Sequence, residues 1–120
     1  MAAEAIIVFL TTPNREEATR LADMLVGAHL AACVQVLPEI ESIYRWEGKI
    51  ERQSETLLLA KTTREKFDEL ERNVRAVHSY ETPEILAVSA SAVSEPYLKW
   101  LSDMLYLVVS GKNLAADLRR

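Results

Sequence analysis

The stretch from Leu30 to Lys61 constrains the fold of this 120-residue chain more than any other. Val34 and Val36, then Ile40, Tyr44 and Trp46 beyond Pro38, all fall on even positions, the period of an extended strand. Trp46-Glu47-Gly48-Lys49 supplies a short turn, and Ile50 to Lys61 returns as a second strand through Leu57-Leu58-Leu59. Strands usually run about 5–6 residues. Even with a bulge or break at Pro38, this long β-hairpin must project beyond the body of a small domain.

The remaining segments alternate between strand and helix. Ala5 to Thr12 is apolar and β-branched up to Pro13, and reads as a strand buried on both faces. Asn14 offers an N-cap, with Glu17 in a variant of the capping box, and Ala18, Leu21, Ala22 and Leu25 follow at helical spacing. Thr62 with Glu65 repeats that cap before Phe67, Leu70, Val74 and Val77, while Lys66, Asp68, Glu69, Glu71, Arg72 and Arg75 read as a solvated surface. Ile85 to Ser91 is another strand. Ser94 caps a last helix with Pro96 in its first turn and a buried stripe of Leu98, Leu101 and Leu105.

The order is β-α-β-β-α-β with an added C-terminal helix: an α+β fold, the split pattern of a ferredoxin-like sandwich with both main helices on one sheet face. Low Gly and Pro content and the absence of a linker composition argue for one domain over 1–120, with a core from about 5 to 106. The tail 110–120 is expected to form a loose helical turn or to fray. Leu57, Leu58 and Leu59 in succession put apolar side chains on both faces of their strand, and one chain has too few helices to cover both. A second copy of the protein is the expected cover, and a homo-oligomer follows.

Charge and cysteine usage narrow the function classes. Fourteen Lys and Arg against 18 Asp and Glu give a net charge of −4, scattered along the chain. No basic face is available to a phosphate backbone, so no nucleic-acid partner is expected. No apolar run approaches the length of about 20 residues that a membrane span needs, and the N-terminal segment, with Glu4, lacks the basic flank of a signal peptide. The sole cysteine, Cys33, makes no internal disulfide. Cytoplasm is the expected compartment. No nucleophile elbow, phosphate-binding glycine loop or HExxH segment is present, so the chain is not expected to be an enzyme.

AACVQV at 31–36, SIYRWEGKIE at 42–51, ETLLLAKTT at 55–63, YETPEI at 80–85 and YLKW at 97–100 together resemble the CutA family, the divalent-cation tolerance proteins, in that family's order. The resemblance implies a ferredoxin-like protomer in a tight homotrimer, with hairpins interlocking between subunits and a PII-like architecture. It also implies a cytoplasmic role in tolerance of copper and other divalent metal ions, without a catalysed reaction. Two rival readings stand beside metal binding. One is a PII-like regulatory trimer that binds a small anionic metabolite in an intersubunit cleft, and the other is a non-catalytic scaffold for a protein partner.

His78, in HSYETPEI, is the sharpest candidate site residue. Imidazole suits Cu(II) and other borderline divalent cations, and Glu81 or Glu84 could orient it. The competing reading is a loop histidine hydrogen-bonded to the backbone. His78 matches the histidine of the family's His-Pro-Tyr-Glu motif, but Ser79 replaces the proline, which frees the local backbone. Cys33 matches the family's Ala-Ala-Cys-Val cysteine and is either a soft metal ligand or a small buried hydrophobe. Copper-binding relatives can use a first-strand cysteine, where this chain has Ile6 to Leu10. In the family context Tyr44 and Trp46 fall at the trimer interface, while Lys61, Tyr80, Glu81 and Trp100, with Tyr97 one turn away, are the expected lining of a ligand cleft. His29 reads as a helix C-terminal residue favoured by the dipole.

Overall fold

The sheet has the strand order β2-β3-β1-β4, and each neighbouring pair is antiparallel. A computed structural model describes residues 3–106, so the expected tail at 110–120 lies outside the described residues. The elements are β1 (Ala5–Thr12), α1 (Arg15–Gly27), β2 (Cys33–Trp46), β3 (Lys49–Thr63), a 3-10 turn (Arg64–Lys66), α2 (Phe67–Val77), β4 (Ile85–Ser89) and α3 (Glu95–Tyr106). This is the β-α-β-β-α-β order with the added helix.

Strand alternation builds the core. Ile6, Val8 and Leu10 of β1 and Leu58 and Ala60 of β3 point to one face, where Ala18, Leu21 and Leu25 of α1 and Leu70 and Val74 of α2 cover them. The Asn14 side chain accepts a hydrogen bond from Glu17 N and caps α1 as expected. Thr62, by contrast, is no cap: its Oγ1 is buried without a hydrogen-bond partner among the described residues, and Thr63, which precedes the 3-10 turn, makes no side-chain cap either. The reason is pairing: β1 holds β3 in register as far as Ala5↔Thr63, so Thr62 and Thr63 stay in the sheet, and the 3-10 turn that holds Glu65 precedes α2. β4 stops at Ser89, opposite Ile6 near the start of β1. Val77, expected on the buried stripe of α2, is exposed.

Pro38 sits at a bulge. Leu37 pairs with Leu57 and Ile40 with Glu55, so β2 carries one residue more than β3 across that interval. Thr56 Oγ1 donates to the Pro38 carbonyl at 3.1 Å within it. The extra residue exchanges the faces of β2. Val34 and Val36 lie opposite Ala60 and Leu58 on the helix-covered side, whereas Ile40, Tyr44 and Trp46 lie opposite Glu55, Glu51 and Lys49 on the other. The even positions are therefore not one face, as their spacing alone suggests. Beyond Thr12↔Thr56 the hairpin has no third strand among the described residues, and it ends in a turn with positive φ at both Glu47 and Gly48, as tight hairpins favour. Ile43, Trp46 and Ile50 near its tip are exposed.

Among the described residues, the second sheet face is only partly covered. α3 packs at one end, where Leu101 and Leu105 join Ala32, Tyr97, Trp100 and Met104, and the Tyr106 hydroxyl meets Thr63 Oγ1. His29, at φ 59, places Nδ1 3.0 Å from the Met104 carbonyl, so it braces the end of α3 rather than complementing the α1 dipole. Across the rest run the register rows Gln35–Leu59–Phe9–Leu86 and Lys61–Ile7–Val88. Leu86 is 58% exposed and Val88 44%.

Leu58→Ala empties a fully buried position between the sheet and its helices. Urea denaturation should show a loss of about 2–5 kcal/mol; a loss under about 1 kcal/mol would mean that this face is not the core.

Candidate functional site

Four elements meet at the α2–β4 loop. His78 N bonds to Val74 O, after which the chain leaves α2 in an extended conformation. The His78 ring is turned inward, and its side chain is 0% exposed. Nδ1 accepts from the Tyr80 amide at 2.9 Å, and Nε2 lies 2.8 Å from the Thr11 carbonyl. An amide N–H can only donate and a carbonyl can only accept, so the ring is neutral with its proton on Nε2. Both nitrogens are occupied. In this arrangement His78 offers no lone pair to a metal, and the loop-histidine reading fits the geometry.

Glu17 is the residue that sequence reasoning missed. Its place three residues after Asn14 suggests a capping box, but its carboxylate turns across the fold to accept from Ser79 N at 2.9 Å. Ser79 stands where the family motif has proline, and a proline has no N–H to give. The same carboxylate oxygen lies 3.5 Å from His78 Nδ1, too far and facing the wrong kind of nitrogen to count as an ion pair while that nitrogen is an acceptor. Burial works to raise the Glu17 pKa, but the Ser79 amide and hydroxyl, with the Arg20 charge, outweigh it and hold the carboxyl below its ordinary range, and His78 adds to this only when its ring carries a proton.

Tyr80 carries the loop onto the hairpin. Its ring lies 4.9 Å from the imidazole, and its hydroxyl donates to Glu55 Oε2 at 2.8 Å while accepting from Gln53 Nε2 at 3.1 Å. Gln53 Oε1 in turn accepts from the Tyr44 hydroxyl at 2.8 Å. Burial and the neighbouring Glu55 push the Tyr80 pKa up to about 12, so the phenol stays a donor at physiological pH. Burial, then the charge of Glu55, raises the pKa of Glu84. Glu55 falls in the ETLLLAKTT motif, but no local signal in the sequence marks it or Gln53 as a site residue.

The expected cleft residues, Lys61, Tyr80, Glu81 and Trp100, fall into two groups, and the expected interface residues Tyr44 and Trp46 are divided as well. Tyr80 and Tyr44 share the network above, and Glu81 is exposed beside it, lining an open depression of about 470 Å³ with Tyr80, Ala76, Glu71, Arg72 and Arg75. Lys61 lies six residues along β3 from Glu55, about 20 Å at the usual strand rise. It pairs in register with Cys33, a half-buried free thiol, and its carbonyl accepts from Ala32, which packs in the cluster with Trp100. Trp46 stands apart near the hairpin tip, 62% exposed. Among the described residues no group of three or more His, Cys, Asp or Glu converges to hold a metal ion.

Comparison with known proteins agrees with this architecture. Residues 6–104 match the family described as CutA1 divalent ion tolerance protein. The chain is 43% identical over 99 residues to the chloroplastic protein CutA of Arabidopsis thaliana, covering 82% of this chain and 54% of that one. It is 42% identical over 97 residues to the divalent-cation tolerance protein CutA of Thermus thermophilus, covering 81% and 94%. The chain thus spans about half the length of the plant relatives and nearly all of the Thermus one. The crystal structure of CutA1 from Oryza sativa superposes with a TM-score of 0.85 at 38% identity, covering 89% of this chain and 98% of that one.

Glu17→Ala strands the Ser79 amide and should cost about 1–3 kcal/mol at pH 7. A depressed carboxyl stabilises the fold above its ordinary pKa and ceases to do so as pH falls through the lower folded-state value. Chemical denaturation of both proteins should therefore show the difference narrowing as pH is taken below the ordinary value of 4.5; a gap that stays constant or widens there would contradict the assignment.

Proposed function

Because this chain belongs to the CutA1 divalent ion tolerance family, we propose that it acts in divalent-cation tolerance through binding and assembly rather than turnover, as a homotrimer of PII-like form. The observation that carries the reading is the sheet face that the described residues leave uncovered. Leu86 and Val88 of β4 and Leu37 of β2 are exposed, and Ile7, Phe9, Leu57 and Leu59 are only half-buried. An apolar surface of this kind marks an interaction site. The overhanging hairpin adds unpaired strand edges and the exposed side chains of Ile43, Tyr44, Trp46 and Ile50. Tyr44 and Trp46 belong to the subunit interface in this reading.

Cu(II) or another divalent cation is the proposed ligand. No sufficient donor set converges within the described residues of one chain, so the metal would take its donors from more than one copy. Cys33 is the soft donor available on the face that the copies share. His78 keeps its place in the loop. We assign the protein to the cytoplasm, with neither nucleic acid nor membrane as partner. Among the described residues no helix is long and apolar enough to cross a membrane, while the compartment in relatives' names varies, chloroplastic in Arabidopsis thaliana and periplasmic in Archaeoglobus fulgidus.

Lys61 favours a second reading. It is half-buried on the shared face and, among the described residues, has no carboxylate within ion-pair distance. A small anionic metabolite held there between subunits, near Trp100, would supply the missing charge.

Calorimetric titration with Cu(II) and Zn(II) distinguishes these readings when run beside Leu86→Asp, which places a charge on the proposed contact face. The assembled protein should bind a divalent cation saturably, and the dissociated variant should bind at least tenfold more weakly. Equal binding by both would overturn a donor set shared between copies. No metal binding, with uptake of a small anion that Lys61→Ala abolishes, would establish the second reading.

A further inference from the structure

Nδ1 of His78 lies between two groups that make opposite demands on it. On one side, at 2.9 Å, is the Tyr80 amide, a fixed donor. On the other, at 3.5 Å, is the carboxylate of Glu17, an acceptor. The neutral ring serves the first and leaves the second unmet. A proton from solvent, added to the Nδ1 lone pair, reverses this: the ring becomes a donor at both nitrogens, Nε2 keeps the Thr11 carbonyl, and the Tyr80 N–H then faces another N–H. The geometry points to His78 as a proton-operated clasp, in which protonation shifts Nδ1 from the Tyr80 amide to Glu17 and loosens the α2–β4 loop, leaving Tyr80 tied to the hairpin by its hydroxyl alone.

The groups around the ring fit this exchange. From α1 comes Glu17, with Arg20 acting on the same carboxylate. β1 presents only the Thr11 carbonyl. Tyr80 covers the ring from its own loop, and behind it stand Glu55 of β3 and then Glu84. Among the described residues, Glu17 is the only carboxylate within 4 Å of a ring nitrogen. Its carboxyl is held in the charged form and already accepts from Ser79, so it gains the imidazolium without giving up that bond. Tyr80 fastens the loop by its amide to His78 and by its hydroxyl to Glu55 and Gln53, and Gln53 holds Tyr44. Releasing the amide removes one of the two fastenings, so a proton at a fully buried ring reaches a side chain on the projecting hairpin. This inference is independent of metal binding and of the number of copies assembled.

Imidazole nitrogen NMR of the full chain, titrated between about pH 8 and 5, tests the proposal, with amide exchange of Tyr80 read as a protection factor so that the intrinsic pH dependence is removed. The expected result is an Nε2–H tautomer at high pH that becomes doubly protonated, with Tyr80 protection falling at least tenfold at the same midpoint. Glu17→Gln keeps an acceptor for Ser79 but removes the charge, and should lower the ring's proton affinity about tenfold or more. His78→Gln should abolish the pH response of Tyr80. If His78→Gln does not fold, Glu17→Gln still decides, through the shift in midpoint. The proposal is overturned if His78 keeps its neutral tautomer until global unfolding, if Tyr80 protection does not follow the ring's titration, or if the midpoint is the same in Glu17→Gln.

Discussion

The rest of the structure depends on the unequal lengths of two central strands. β3 has 15 residues and β1 has 8, so β1 can pair with only the second half of β3. Where the two strands run together, β3 lies in the middle of a sheet and must be apolar on both faces, which explains the triple leucine. Where β1 has ended, β3 has only β2 for company and the pair projects as a hairpin. The described residues built this way leave a sheet face open and an arm projecting, and water is a poor partner for either.

The same strand places the polar network. Glu55 and Gln53 lie just beyond the end of the β1 pairing, where the sheet narrows to a hairpin and a neighbouring loop can reach side chains that would otherwise face solvent. Tyr80 occupies that position. Glu55 is only 8% exposed, and a carboxylate so placed needs its donor, which the Tyr80 hydroxyl supplies. His78 and Glu17 do the equivalent work on the other side of the loop by satisfying the Tyr80 and Ser79 amides. The loop is therefore held at both ends by groups that cannot lose a partner cheaply.

Much of the fold was legible because it depends on periodicity and punctuation. β1 was read to its ends, the Asn14 cap is as expected, and the length of the hairpin demanded an overhang. What escaped was set by tertiary pairing. The register with β1 keeps Thr62 and Thr63 in the sheet despite a capping pattern, and the extra residue at Pro38 moves Tyr44 and Trp46 to the opposite face from Val34 and Val36. In the site, the residue types of HSYETPEI leave two readings of His78 open, because no local signal separates a histidine that binds metal from one that organises amides. Glu17 lies 62 residues from Ser79 in the chain, and its position after Asn14 carried a sufficient local explanation. Only the fold brings the two together.

The central claim is that the open sheet face and the hairpin are surfaces between copies of this chain. Sedimentation equilibrium at micromolar concentration tests it most directly. The account predicts a single species of three times the 13.5 kDa chain mass. A species of 13.5 kDa across that concentration range, with Leu86 and Trp46 remaining in water, would contradict it.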